Sequence, residues 1–255
     1  MIYHGDCLDI MPTLADKSVD MILCDLPYGT TACKWDTVIP FEPLWAQYKR
    51  LIKNNGAIVL TASQPFTSAL VMSNPAMFKY CWYWEKSKGA NFAMTGFQPL
   101  KVIEDILVFS FSACTYTKNG NGMKYFPQKV LLEKPYTRSF LNNKRDSPSS
   151  PLRNSKLDEI HYTHSSPRNL LYAGTDGDGR VHPTQKPVAL FEYLIRTYTN
   201  EGDTVLDNCA GSGTTGVACL NTNRKFILIE KDPTYCEIIR NRIANHDPLF
   251  ANSTP

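Results

Sequence analysis

The tetrapeptide Asp25-Leu26-Pro27-Tyr28 combines groups that could activate an amino nitrogen. An exocyclic amino group of a base is a poor nucleophile, because its lone pair is delocalised into the ring. The Asp25 carboxylate and the Leu26 carbonyl could each accept one N–H bond, which would turn the lone pair toward an electrophile. Pro27 fixes the backbone, and the Tyr28 ring offers a face for an extruded base. The same residues would also suit an ordinary turn after a strand.

A glycine-rich turn at residues 207–216 could hold the second reactant. Gly211, Gly213 and Gly216 fit the pattern G-x-G-x-x-G between a predicted strand and a predicted helix, where glycine lets the backbone approach a ligand closely. Glu230 ends the next predicted strand, 19 residues after Gly211, and could accept hydrogen bonds from two ribose hydroxyls. The combination predicts a ligand that contains adenosine. The alternative is a tight strand-to-helix turn that binds nothing.

The order of the predicted elements along the chain helps to distinguish NAD from an adenosine ligand with a methionine tail. Only 25 residues follow Glu230, whereas a dinucleotide-binding fold needs several more strands after that point. The missing strands must come from residues 1–112, so we expect a sheet that is assembled in permuted order. Ser212, Thr214 and Thr215 could line a pocket for a zwitterionic methionine tail as well as for a phosphate. An NAD-dependent dehydrogenase therefore stays an alternative.

Apolar runs alternate with amphipathic segments on both sides of a segment of different composition. Strands are predicted over 19–24, 57–62, 80–84, 102–111, 204–208 and 226–230, and helices over 42–53, 65–74, 187–199, 211–221 and 232–246. This alternation predicts an α/β fold with a mostly parallel sheet and helices on both faces. Residues 1–112 and 179–250 would form a single catalytic and cofactor-binding domain.

Residues 113–178 are rich in Asn, Ser, Pro, Lys, Arg and Tyr and show little periodicity, which predicts an irregular insertion that is functional or mobile. Between residues 118 and 180 there are 11 Lys and Arg against 6 Asp and Glu, although the whole chain has a formal net charge of only +3. A basic segment on a nearly neutral body favours a polyanionic partner. A solvated loop face would have the same composition.

Composition argues against several classes of protein. The chain of 255 residues can form one packed domain with an insertion, and its 43% hydrophobic and 20% charged residues are ordinary for a globular protein. It lacks both a run of about 18 apolar residues and a signal-peptide pattern, so we expect a cytoplasmic protein without a membrane partner. The eight cysteines include no C-x-x-C pair, so no metal site is predicted.

Four segments resemble the β-class DNA amino-methyltransferases of bacteria and their phages, which methylate adenine N6 or cytosine N4. They are HGDCLDIMPTLADKSVDMILCDLPYG (4–29), VHPTQKPVALFEYLI (181–195), LDNCAGSGTTG (206–216) and FILIEKDPTY (226–235). The resemblance covers nearly the whole chain except about 113–178, and the catalytic motif precedes the cofactor motif, as in that class. It implies a permuted Rossmann-like methyltransferase sheet, S-adenosylmethionine as cofactor, double-stranded DNA with a flipped base as substrate, and a possible homodimer.

The resemblance also implies roles for single residues. Asp25, Leu26, Pro27 and Tyr28 match the catalytic motif. Positions expected to bind the cofactor are Asp6 and Cys7 near its adenine, His182, Thr184, Gln185 and Lys186 near its methionine end, and Asp207, Ala210, Gly211, Ser212, Gly213, Thr214 and Glu230. The insertion would be a target-recognition region whose basic residues contact phosphates and base edges. These candidates for DNA binding are Lys118, Lys124, Lys129, Arg138, Lys144, Arg145, Arg153 and Arg168.

One position departs from the usual D-P-P-Y motif of this class: Leu26 replaces the first proline. Only a backbone carbonyl is needed there, so the change should be tolerated, although a less rigid turn could lower the rate. An aspartate in first place resembles the adenine-N6 members, and cytosine-N4 members more often have serine. We therefore expect a site-specific adenine-N6 methyltransferase, with restriction–modification as one possible setting. A cytosine-N4 methyltransferase and a non-catalytic DNA-binding protein are the further alternatives.

Overall fold

An eight-stranded mixed sheet forms the centre of the larger of two units. The computed structural model describes residues 1–31, 33, 36–115, 122–141, 157–174 and 185–246. The larger unit holds the described residues up to Phe126 and from Asn169 onward, and the smaller unit is Pro127–Arg168. In chain order the strands are β1 (Ile2–His4), β2 (Val19–Asp25), β3 (Ile52–Ala62), β4 (Phe78–Ala90), β5 (Lys101–Phe109), β6 (Val130–Leu141), β7 (Leu157–Ser165), β8 (Leu170–Ala173), β9 (Thr204–Asp207) and β10 (Lys225–Glu230).

The strand order of the large sheet is β1-β10-β9-β2-β3-β5-β4-β8. Neighbouring strands are parallel except that β5 runs antiparallel to both β3 and β4. The strands of the carboxyl-terminal third of the chain, β9 and β10, lie between β1 and β2, so the sheet is assembled in permuted order. The predicted α/β fold with a mostly parallel sheet is therefore confirmed.

Within the described part of the chain, six α-helices cover the two faces of this sheet. They are α1 (Cys7–Ile10), α2 (Phe41–Leu51), α3 (Phe66–Ser73), α4 (Val188–Tyr198), α5 (Thr214–Asn221) and α6 (Pro233–Ala244). Along β2, Ile22 and Cys24 belong to the core beneath α2 and α3, whereas Met21 and Leu23 belong to the core beneath α4 and α5. Both sets are fully buried, which explains the unbroken apolar run in this strand.

The smaller unit is an antiparallel hairpin of β6 and β7, in which the rings of Tyr136 and Tyr162 stack with centroids 5.1 Å apart. The sequence predicted little regular structure here, and these two strands correct that expectation, as does β8, which pairs with β4 in the large sheet. Their side chains are mostly exposed, so they lack the hydrophobic periodicity on which the prediction relied. Within the described residues, no helix is long and apolar enough to cross a membrane.

Candidate active site

The carboxyl edge of the large sheet brings the predicted catalytic and cofactor residues together. Asp25, Asp207 and Glu230 end the adjacent strands β2, β9 and β10. Beside them lies a cavity of about 620 Å³, lined by Asp25 and Leu26 on one side and by Gly211 and Glu230 on the other. The tetrapeptide and the glycine turn thus share one cleft, as expected at the carboxyl ends of strands in an open α/β sheet.

Three donors hold the Asp25 carboxylate. Thr61 lies opposite Asp25 in the β2–β3 register, is fully buried, and donates its hydroxyl to Oδ1. The Tyr28 hydroxyl donates to the same oxygen at 2.8 Å and lies 3.0 Å from Thr61 Oγ1. Lys186 Nζ lies 2.9 Å from Oδ1 and 3.0 Å from Oδ2. The carboxylate is therefore fixed in orientation before any substrate arrives.

Tyr28 serves in this structure as a hydrogen-bond donor to Asp25. Its ring stacks on Phe66, with centroids 5.2 Å apart and planes inclined by 24°. Burial, followed by the negative charge of Asp25, raises the pKa of Tyr28 well above its usual value, so the hydroxyl stays protonated. Tyr28 is not among the described residues that line the cavity, and its expected stacking on a base stays a prediction.

Lys186 links the Asp25 carboxylate to a second acid, Glu104, that the sequence did not single out. Its ammonium lies 3.1 Å from Glu104 Oε2, and Lys86 Nζ lies 3.1 Å from Glu104 Oε1. Burial opposes the charge on Lys186, but Asp25 and Glu104 outweigh it and raise its pKa. The only sequence signal for Glu104 was an acidic residue in the apolar strand β5.

The glycine turn leaves open space for a ligand at one glycine and closes it at another. Gly211 has φ +52°, and no atom lies within 4 Å of where its Cβ would be. Gly213 has φ +83°, but a Cβ there would lie 3.0 Å from Ile239 of α6. Gly213 is not among the described residues that line the cavity; it is needed for the turn and for packing against α6, and its expected cofactor contact stays a prediction.

Glu230 is held by backbone amides at the other end of the cavity. Gly211 N donates to Oε2 at 2.7 Å, and Asp232 N donates to Oε1 at 2.8 Å. Each carboxylate oxygen can accept a second hydrogen bond, so the pair can still receive two hydroxyl groups. Burial raises the pKa of Glu230. This geometry fits the predicted ribose-binding role.

Asp207 supports the turn from beneath. Its Oδ1 accepts from Cys209 N at 3.1 Å, and its Oδ2 accepts from the buried Thr215 hydroxyl at 2.5 Å. Burial is the main reason that the pKa of Asp207 rises to about 6. Ionisation of this buried carboxyl group near neutral pH therefore lowers the stability of the fold. Its two hydrogen bonds fix the strand-to-helix turn.

The two ends of the cavity have different polar partners. At one end, Asp6 accepts from Leu8 N at 2.9 Å and from Lys231 Nζ at 2.9 Å, and both bonds lower its pKa. At the other end, Ser212 donates to Gln185 Oε1 at 3.1 Å. Cavity-lining residues among those predicted are Asp6, Cys7, Asp25, Leu26, Pro27, Gln185, Lys186, Asp207, Ala210, Gly211, Ser212, Thr214 and Glu230.

Several predicted residues lie elsewhere or outside the description. His182 and Thr184, and Lys118, Lys144, Arg145 and Arg153, lie outside the described residues. Lys124 belongs to the larger unit and pairs with Asp20 at 3.0 Å and Asp203 at 2.7 Å, so its ammonium neutralises carboxylates and is not offered to DNA. Lys129, Arg138 and Arg168 are exposed in the smaller unit.

The chain is similar to known DNA methyltransferases. The family model described as DNA methylase (N6_N4_Mtase) matches residues 19–241. Type II methyltransferase M.HpaI of Haemophilus parainfluenzae is 28% identical over 252 residues, covering 94% of this chain and 72% of that protein. DNA adenine methyltransferase YhdJ of Escherichia coli K12 is 29% identical over 266 residues, covering 96% and 83%. The solved M1.HpyAVI–SAM complex is 25% identical with a TM-score of 0.61, covering 95% of this chain and 98% of that one.

Proposed function

The chain belongs to the N6/N4 DNA methylase family, and we propose that it transfers a methyl group from S-adenosylmethionine to N6 of an adenine flipped out of double-stranded DNA. The observation that carries the proposal is the shared cavity, in which Asp25 faces the same space as Gly211 and Glu230. Asp25 can therefore hold an amine while Gly211 and Glu230 hold a nucleoside cofactor. Asp25 in first position and the adenine specificity in the name of the similar protein YhdJ favour adenine over cytosine.

The donor set fits S-adenosylmethionine. The cavity volume of about 620 Å³ lies within the roughly 300–1,000 Å³ usual for ligand sites. Glu230 would hold the ribose hydroxyls, Asp6 and Cys7 would border the adenine, and Gln185 and Ser212 would border the methionine end. When bound, the cofactor supplies a methyl group on a positively charged sulfur, which is activated for displacement by a nucleophile.

Asp25 and its neighbours would prepare the attacking nitrogen. The Asp25 carboxylate accepts one N–H of the target amine, and the Leu26 carbonyl accepts the other. This localises the lone pair on nitrogen, which forms the new bond to the methyl carbon as the carbon–sulfur bond breaks and its electron pair stays on sulfur. The surplus N–H proton leaves by way of the Asp25 carboxylate to solvent. Preorganised acceptors of this kind contribute mainly through electrostatics and position.

DNA binding would involve the smaller unit through Lys129, Arg138 and Arg168, which are exposed there. Arginine and lysine on such a surface contact phosphates and base edges. We propose that the enzyme acts in the cytoplasm of a bacterial cell, where its DNA substrate lies, and that a homodimer is an assembly to be tested by sedimentation.

The product nucleoside tests the choice of base. DNA is incubated with the protein and cofactor labelled in the methyl group, digested to nucleosides, and separated by chromatography. We expect the label in N6-methyl-2′-deoxyadenosine. Label in N4-methylcytosine would replace the adenine proposal by its cytosine alternative. Absence of label, together with specific DNA binding, would instead identify a non-catalytic binding protein, and binding of NAD but not of S-adenosylmethionine would identify a dehydrogenase.

A further inference from the structure

The hairpin formed by β4 and β5 extends beyond the carboxyl edge of the sheet. Asp105 of β5 pairs with Ala62, the last residue of β3, and with Tyr83 of β4. Residues 101–104 of β5 and 84–90 of β4 therefore lie past the end of β3, and residues 91–100, the hairpin tip, lie farthest out. The cavity also lies at the carboxyl edge of the sheet. The hairpin therefore projects from the same edge as the cavity.

The base of this projection is joined to the catalytic carboxylate. Glu104 lies 3.1 Å from Lys186, and Lys186 lies 2.9 Å from Asp25. In the sheet order, β5 and β4 are on the β3 side of β2, whereas β9 and β10, which carry the glycine turn and Glu230, are on the other side. The hairpin therefore flanks Asp25 on the side away from the proposed cofactor, which is the side left for the target base.

The hairpin tip displays apolar side chains to solvent on a turn that has its own backbone hydrogen bonds. Phe97 is 87% exposed, Phe92 64% and Met94 43%. The amides of Met94, Phe97 and Gln98 donate to backbone oxygens within the tip at 2.9–3.0 Å, so the turn is defined by its own hydrogen bonds. Exposing large apolar side chains on a defined turn gains nothing for folding, which indicates that a partner covers them.

The projecting strands carry basic side chains beside the aromatic tip. Lys88, Lys101 and Glu85 are exposed there, whereas Glu104 pairs with Lys86 and Lys186. Exposed cations of this kind can contact phosphates while aromatic side chains enter the base stack. The continuity of this surface with the proposed base site favours the DNA substrate as the occupant over a second copy of the chain.

We propose that the hairpin tip, residues 91–100, is an apolar wedge that enters the DNA stack where the target base leaves it, with Phe97 as the main stacking side chain. This inference rests on the proposed function. Flipping a base sacrifices its stacking and pairing, and a ring that takes its place restores part of the lost stacking. The wedge would therefore stabilise the duplex around the extruded base without touching the reacting atoms.

The test compares Phe97→Ala with wild type on two duplexes. One is fully paired, and the other places the target adenine opposite an abasic site, where extrusion already costs little. We expect kcat/KM to fall about tenfold or more on the paired duplex, as for loss of one base–aromatic stack, and less than threefold on the abasic duplex. Met72→Ala, which removes a 73% exposed side chain from α3, serves as the control and should leave both values unchanged.

An equal loss on both duplexes, or no loss on either, would overturn the wedge. A fall in sedimenting mass for Phe97→Ala, with equal loss on both duplexes, would assign the tip to a protein interface instead. A second readout does not need methyl transfer: wild type should bind a duplex with an abasic gap about tenfold more tightly than an intact one, and Phe97→Ala should lose this preference. If wild type transfers no methyl group but keeps the preference, the proposed function fails and the wedge stands.

Discussion

At the scale of single residues, the Asp25 carboxylate accepts from Tyr28 and Thr61 at Oδ1 and contacts Lys186 through both oxygens. A target amine would therefore bind at Oδ2 beside Lys186, in competition with its ammonium. Lys186 is the donor most able to yield, because Glu104 offers its ammonium a second carboxylate 3.1 Å away. We therefore expect Glu104 to act as a positioning residue, which attracts the Lys186 ammonium and so weakens its ion pair with Asp25.

Replacing Glu104 by glutamine should lower kcat about tenfold, because Lys186 would be left with Asp25 alone and would compete more strongly with the target amine. The pKa of Lys186 should also fall, since Glu104 is one of the two carboxylates that raise it. Because Lys186 competes with the target amine only while it is charged, the variant should regain part of its lost rate as pH rises through the lowered pKa of Lys186. Steady-state rates measured across pH check both effects, with cofactor affinity expected within twofold of wild type.

The matched control for Glu104 is Glu85→Gln, which neutralises an exposed acid on the adjacent strand. It should leave kcat and the pH profile unchanged. If Glu104→Gln keeps the wild-type kcat and pH profile, or if Glu85→Gln changes them equally, the positioning role of Glu104 is wrong.

Asp207 should make the protein more stable in mild acid than above neutrality. Its folded-state pKa of about 6 lies above the usual 3.8. A raised pKa gives a contribution to stability that is fully present below the unfolded value and is lost as pH rises through the folded value. We expect this group alone to lower the free energy of unfolding by roughly 1–2 kcal/mol between pH 5 and pH 8.

Denaturant titrations of wild type and Asp207→Asn across this range isolate that contribution. The asparagine variant keeps one oxygen, which can accept from Cys209 N, and its amide nitrogen can donate to the Thr215 hydroxyl oxygen, but it does not titrate. Its unfolding free energy should therefore vary less with pH than that of wild type. Identical pH dependence in the two proteins would show that Asp207 is not the group responsible.

The sequence predicted those residues of the site that belong to short contiguous motifs. Asp25, Gly211 and Glu230 each follow a buried strand, so their position at one edge follows from the pattern of elements. Glu104 was missed because it reaches the site through an antiparallel strand and a lysine 82 positions away in the chain. The packing of Gly213 against Ile239 was not predicted, because a glycine motif does not reveal which glycine faces a ligand and which faces a helix.

At the scale of elements, a close approach between β2 and β3 holds Asp25 next to Thr61. The register of these strands shifts between Val19 and Met21, and Gly56 lies at this irregularity. A Cβ at Gly56 would lie 2.6 Å from the Asp20 carbonyl oxygen and 2.7 Å from Ile52 Cδ1. The carbonyl is backbone in a paired strand, so it cannot move aside without disturbing the sheet.

Gly56→Ala should therefore reduce the free energy of unfolding by about 1–3 kcal/mol, the usual range for overpacking a core. Chemical denaturation monitored by tryptophan fluorescence measures the change. Gly174→Ala is the comparison, because no atom lies within 4 Å of its Cβ position. Equal stability of the two variants would contradict the close approach.

Predictions of elements succeeded where burial leaves a pattern and failed where it does not. The runs that became β2, β3, β9 and β10 are apolar because the sheet is covered on both faces. The hairpin of β6 and β7 is stabilised by backbone pairing between exposed strands, which does not require apolar residues at fixed spacing. Long loops and exposed hairpins are therefore not distinguishable from composition alone in this chain.

At the scale of the whole molecule, the two edges of the sheet are specialised. The carboxyl edge holds the site, whereas the amino edge carries a buried charge cluster around Asp20. Asp20 is 2% exposed and accepts from Lys53 at 2.8 Å, from Lys124 at 3.0 Å and from Thr204 N at 3.1 Å. The cluster ties β2, β3 and β9 to the segment that carries Lys124.

Removing this charge should destabilise the fold without changing the site. Asp20→Ala leaves two lysines without their shared carboxylate, and we expect a loss of about 2–3 kcal/mol in unfolding free energy. Burial opposes the charge, but the lysines and Thr204 N lower the pKa of Asp20, so its contribution is present above the unfolded pKa and lost as pH falls. Asp16→Ala, which breaks an exposed pair with Arg50, should change stability by less than about 1 kcal/mol.

Thermal and chemical unfolding check the Asp20 variant, and calorimetric titration with S-adenosylmethionine checks its site. Cofactor affinity should stay within twofold of wild type at temperatures where both proteins are folded. Equal destabilisation by Asp20→Ala and Asp16→Ala would show that burial of the amino-edge cluster does not matter.

In the proposed reaction, Asp25 binds the target amine while Gly211 and Glu230 bind the cofactor in the same cavity. This assignment is tested most directly by the single-turnover rate of methyl transfer for Asp25→Ala at saturating cofactor. We predict a fall of at least about 10²-fold, the usual effect of removing one preorganised group from an active site, with the dissociation constant for S-adenosylmethionine within twofold of wild type. An unchanged transfer rate would contradict the assignment of Asp25 to the amine, and with it the proposed reaction at this edge of the sheet.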